Sequence, residues 1–349
     1  MGRFLLVRSI LHRTMSFERA RRIYLGLVSS LLLIAISCDK PNNIPASGYG
    51  PVSSAIISEF DKHDLVALGE SHDRQQDLDL RLRVVHNREF PAKVHNIVVE
   101  YGNALFQGVL DRYIAGEEVS EQEIRKVWRG TVSSPVSAGT LPPSCELFLH
   151  EVRLINQRLP SQLKLRVLAG DPPIDWTKVK SKEDFLAFFT IRDEFPVHLI
   201  EKEILAKGEK ALIIYGAGHV WRNVLNLPPN LATLLDRNSP GKLFTILRIN
   251  GLFRDSTKLE ALIGVTSRPV FLKLTHTTAG ELSANEFLGR DIPMRLFPED
   301  LGIGGAADAC VYSGKKPDTV MQPDRSVEND PAYQAELARR RMFIPGPGR

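Results

Sequence analysis

Residues 65–73 read Leu-Val-Ala-Leu-Gly-Glu-Ser-His-Asp, and this stretch decides the fold. Four apolar residues in a row, without the alternation of a strand that has one wet face, predict a strand buried on both sides, as in a parallel sheet covered by helices. Glu70, His72 and Asp73 follow at the strand's carboxyl end, just after Gly69. Outward along the chain the same design recurs. Residues 96–101 run into Glu100-Tyr101-Gly102-Asn103, residues 165–169 into Gly170-Asp171-Pro172-Pro173, and residues 211–215 into Gly216-Ala217-Gly218-His219. Helical spacing occupies 52–61, 75–89, 103–115, 144–158 and 182–207. The expectation is an α/β fold: a single domain over 51–320 with a mainly parallel sheet covered by helices on both faces. Residues 242–249, 268–274 and 309–314 are expected to extend the sheet, and 321–349 to form a peripheral helix and a loose tail.

In such a sheet the carboxyl ends of the strands share one edge, where ligands bind. Glu70, His72, Glu100, Asp171 and His219 are therefore expected to converge there. Gly69, Gly216 and Gly218, with Asp171, would let a ligand approach closely. Singly, each has a plainer explanation: Asp73 or Asn103 as a helix cap, His219 as a structural histidine, Asp171 as a turn residue. Five on one edge make a site.

Stock motifs fail. Gly216-Ala217-Gly218-His219-Val220-Trp221 has Trp221 where a dinucleotide fingerprint needs glycine or alanine, no phosphate loop occurs, and His150-Glu151 is not followed by a second histidine at metalloprotease spacing. Ser71, Asp171 and His219 keep the chain order of an α/β-hydrolase triad, so a serine hydrolase stays open.

The chain has 349 residues, 43% hydrophobic and 25% charged, which is ordinary for a folded domain. Its formal charge of +4 comes from the start: without Arg3, Arg8, Arg13, Arg19, Arg21, Arg22 and Glu18, 39 basic side chains face 40 acidic ones. No nucleic-acid partner is implied. A basic segment, an apolar run over 25–37 and Ser37-Cys38 make 1–37 a lipoprotein-type signal peptide, with Cys38 the lipidated residue and 38–50 a Pro- and Gly-containing linker. An ordinary cleavage site after Ser37 and a retained anchor are the alternatives, and Met15 competes with Met1 as the start. All three readings export the protein, and lipidation places it on a membrane facing the periplasm or cell exterior. Cys145 and Cys310 then remain, as a disulfide or as buried thiols.

The segments LGESHD (68–73), IVVEYGN (97–103), QGVLDRYIAGEEV with VWRG (107–130), IRDEF (191–195) and IIYGAGHVWR (213–222) resemble the superfamily that joins ChaN-type haem-binding lipoproteins, Tiki-type metalloproteases and erythromycin esterases. The resemblance spans roughly 52–250 and implies a site of Glu70, His72, Glu100 and His219, with Arg192 reaching in from the helix before the fourth strand. It implies either a hydrolase of ester or peptide bonds or a haem binder for haem and iron uptake. The partner is then a small-molecule or peptide substrate, or haem. The cofactor stays open between a divalent metal, for which Glu70, His72, Glu100 and His219 are candidate ligands, and haem, for which Tyr101, Tyr113 and Tyr215 are candidate axial tyrosines.

Overall fold

The computed structural model describes residues 50–134, 143–225, 227–249, 256–264, 266, 268–288, 295–314 and 317–344. The signal segment, Met15 and Cys38 lie outside them. Seven strands form one sheet in the order β3-β2-β4-β1-β5-β7-β6: β1 (Leu65–Glu70), β2 (Asn96–Asn103), β3 (Arg166–Asp171), β4 (Ala211–Gly216), β5 (Leu243–Ile249), β6 (Val270–Lys273) and β7 (Ala309–Tyr312). All neighbours pair in parallel except β6 with β7. The α/β architecture and mainly parallel sheet expected from the apolar runs are present.

The helices that matter here are α1 (Gly50–Ser58), α2 (Gln75–Val85), α3 (Gln107–Ala115), α4 (Glu121–Arg129), α5 (Ser144–Arg158), α6 (Lys182–Phe189), α7 (Glu194–Glu203), α8 (Ala217–Val220), α9 (Leu231–Asn238) and α10 (Pro331–Arg341). Successive strand residues point to opposite faces. Val66, Leu68, Val99 and Ile214 pack with Ile56, Leu82, Leu110 and Phe148 from α1, α2, α3 and α5 on one face. Leu65, Ala67, Val98 and Ile213 pack with Val197, Ile200 and Leu235 from α7 and α9 on the other. Each fully buried aliphatic side chain contributes about 1.5–3 kcal/mol, so this double-sided burial is what holds the sheet between its two helix layers.

One helix expected from the sequence divides. The apolar spacing over 182–207 predicts a continuous helix, but α6 ends at Phe189 and α7 starts at Glu194. Pro196 lacks the N–H that the Arg192 carbonyl needs as an i+4 partner, and its ring crowds that carbonyl. Proline is tolerated in the first turn of α7 but not inside a longer helix. Arg192 and Asp193 thus sit in a turn and not on a helix flank.

Candidate active site

β1, β4 and β2 lie side by side, with Glu70 opposite Gly216 in register. Pairing of β2 with β3 shifts between Val99 and Asn103, where three residues on β2 stand against one on β3. Glu100 stands in this irregular stretch, and such insertions re-aim side chains at strand ends. The edge thereby collects all five residues expected there, and Arg192 with them.

Glu100 is the hub. Its Oε2 accepts the Gly216 N–H at 2.6 Å and lies 3.4 Å from His72 Nε2. Its Oε1 accepts from Arg192 at 2.9 Å and lies 3.4 Å from His219 Nε2. Each histidine is held more tightly through its other nitrogen, His72 Nδ1 by Glu70 at 3.0 Å and His219 Nδ1 by Asp193 at 2.6 Å. The two Nε2 atoms therefore face one carboxylate at distances longer than a good charged hydrogen bond, while the two Nδ1 atoms serve as anchors.

Beneath them Glu70 is buried and takes Arg81 Nη1 on both oxygens, at 2.8 and 2.6 Å. Arg81 also donates to the Ser144 carbonyl and lies over the Tyr101 and Phe148 rings. Asp171 is buried, accepts the Val132 N–H at 2.7 Å and has Arg192 Nε 3.7 Å away. His72 is the most open member, its side chain 36% exposed against 10% for Glu100.

Charge sets the protonation states. Burial disfavours the imidazolium of His72, but Glu100 and Glu70 overcome it and hold its pKa well above the ordinary 6.5. For His219 burial is likewise outweighed, by Glu100 and Asp193, and the pKa rises to about 9. Burial would raise Glu100, yet the two histidine charges hold it well below the usual carboxylate range. Burial pushes Asp171 up to about 7 against the opposing charge of Arg192.

Other expectations resolve differently. The serine-hydrolase triad does not form as expected from the sequence: the carboxylate on His219 is Asp193, and Asp171 is engaged with Val132 and Arg192. Gly69 is packed against Val220 and Leu247 and lines no open space, while Gly218 is exposed and its carbonyl accepts from Asn230. Cys145 and Cys310 are buried free thiols, and burial raises both to about 12.

The residues fit neither proposed cofactor as they stand. Among the described residues no group of three His, Cys, Asp or Glu side chains is arranged to hold a metal ion. The four candidate ligands pair with each other, and Arg81 and Arg192 take up carboxylate oxygens. For haem, both imidazoles face carboxylates through both nitrogens, the Tyr101 and Tyr215 hydroxyls are sealed from solvent, and Tyr113 contacts His150 on the surface. A separate cleft of about 840 Å³, lined in part by Phe106, Arg129, Trp176, Tyr333 and Arg340, contains none of the cluster.

Sequence reasoning missed Arg81 and Asp193 as members of the site. Arg81 carried a signal: it lies three residues after Leu78 and four before Val85, on the apolar stripe of α2, where an arginine needs a buried partner. Asp193 carried none beyond its adjacency to Arg192.

Residues 56–134 match the family model described as haem-binding uptake, Tiki superfamily, ChaN. The resemblance to the ChaN/Tiki superfamily is shown. The matched segment holds Glu70, His72, Arg81 and Glu100 but ends before Arg192 and His219. No curated protein matches the chain in sequence. A crystal structure of a Bacillus cereus protein superposes with a TM-score of 0.53 at 15% identity, covering 82% of this chain and 95% of that one. A succinoglycan biosynthesis protein gives 0.55 at 10% identity over 80% and 95%. At these identities both show the α/β fold alone. An erythromycin esterase in its open conformation gives 0.45 at 10% identity, over 76% and 94%.

Proposed function

We propose that the chain is a hydrolase of ester or peptide bonds in which His219 takes a proton from water and His72 gives one to the leaving group. The observation that carries this reading is the pair of Nε2 atoms facing one Glu100, each backed by its own carboxylate. His219 shares its Glu100 oxygen with Arg192 and is the base in this reading, while His72 is the acid. Water adds to the carbonyl carbon and gives its proton to His219 Nε2. Arg192 stabilises the oxyanion, and His72 Nε2 protonates the leaving oxygen or nitrogen as its bond to carbon breaks. The family description is in keeping with a small-molecule ligand or substrate.

Assays with a panel of carboxylic esters, lactones and peptides test this. Hydrolysis should rise with pH toward about 9, where His219 loses its proton. The family description keeps a haem binder in view. A Soret band on haem titration that is lost in His219→Ala, with no hydrolysis of any panel member, would replace the hydrolase reading with haem binding.

We further propose that the protein is exported and lipid-anchored through Cys38, on the strength of the basic segment, the apolar run and the Ser-Cys junction. Among the described residues no helix is long and apolar enough to cross a membrane. Cys38→Ala should shift the protein from the membrane to the soluble fraction, and a wild type that stays unlabelled by a palmitate analogue would defeat the anchor.

A further inference from the structure

We infer that Asp193 is a positioning residue that keeps a proton on His219 Nδ1 and so makes Nε2 the atom of His219 that gives and takes protons. The inference rests on the proposed role of His219 but is tested without any substrate.

Asp193 Oδ1 receives two donors, His219 Nδ1 at 2.6 Å and the Leu231 backbone N–H at 2.8 Å. Leu231 opens α9, so the carboxylate sits where the first-turn N–H groups favour negative charge. Asn230 caps the same helix by accepting from Thr233 N, and its Nδ2 donates to the Gly218 and Trp221 carbonyls on either side of His219. The turn that carries His219 is thus tied to the element that holds Asp193. Three links fix one distance, and the turn at 190–193 that separates α6 from α7 is what places Asp193 to turn inward. The other groups facing His219 are the Glu100 carboxylate at Nε2, the charges of Arg192 and Asp171 nearby, and the Tyr215 ring edge-on at 5.9 Å. None of these is hydrogen-bonded to Nδ1. A carboxylate on one imidazole nitrogen fixes the tautomer and directs exchange to the other.

The test is a pH titration of the imidazole nitrogens by 15N NMR in the protein, the wild type beside Asp193→Asn and Asp193→Glu. In the wild type, neutral His219 should appear as the Nδ1–H tautomer, and His219 should titrate near 9. In Asp193→Asn the acid dissociation constant of His219 should rise about tenfold or more, with His72 moving less, because only one nearby negative charge is removed. Asp193→Glu should restore part of the alkaline titration. A wild-type His219 that is neutral as the Nε2–H tautomer overturns the inference without recourse to a variant, as does a His219 titration unchanged in Asp193→Asn. A protein that shows the expected titration but hydrolyses nothing keeps the role of Asp193 and loses the reaction instead.

Discussion

Glu100 Oε2 accepts the backbone N–H of Gly216 across two neighbouring strands, at 2.6 Å. Main chain of β4 thus fixes the carboxylate that both histidines face. A Cβ at 216 would stand 3.0 Å from His72 Nε2 and 3.1 Å from Glu100 Oε2, so both would have to give by a few tenths of an ångström. Gly216→Ala should therefore disable the site at an overpacking cost of about 1–3 kcal/mol. Urea unfolding together with hydrolysis measures both effects. A variant as active as the wild type would show that the Glu100 geometry is dispensable.

Arg81 neutralises Glu70 where neither reaches water, both being buried. Arg81→Met leaves buried Glu70 with His72 as its remaining charged partner, and breaking one side of a buried pair costs up to about 3–5 kcal/mol. Arg81→Met with Glu70→Gln should recover a large part of that loss. Chemical denaturation of the single and double variants checks it, and equal losses in both would refute the pairing.

Stability should depend on pH in both directions. Glu100 is lowered in the fold, so its contribution is present above the ordinary 4.5 and is lost as pH falls below it. His219 is raised, so its contribution is complete below the ordinary 6.5 and is lost as pH rises through about 9. Asp171, raised to about 7, acts in the same sense as His219. Thermal unfolding followed from pH 4 to 10 should peak in the mildly acidic range. A midpoint that climbs steadily to pH 10 would contradict these assignments.

The sheet is legible in the sequence because each parallel strand announces itself by an unbroken apolar run, and the site because polar residues follow those runs directly. The shared carboxyl edge of a parallel sheet is enough to bring Glu70, His72, Glu100, Asp171 and His219 together. The turn at 190–193 is less legible: Phe185, Leu186, Phe188, Phe189 and Ile191 keep helical spacing up to it, and Pro196 alone marks the break. Asp193 therefore reads as a surface neighbour of Arg192, although it is the anchor of His219. The apolar stripe of α2 marks Arg81 as needing a buried partner, but the choice of Glu70, 11 residues earlier, and the protonation states depend on tertiary contacts that no local pattern encodes.

The most direct test of the account is the double-mutant comparison at the two histidines, using an ester or peptide that the wild type hydrolyses. If His72 and His219 act as one acid–base pair on Glu100, His72→Ala and His219→Ala each abolish hydrolysis, and the double variant is scarcely worse than either. Modest losses that add in the double variant would mean that the histidines work separately, and would contradict the shared site.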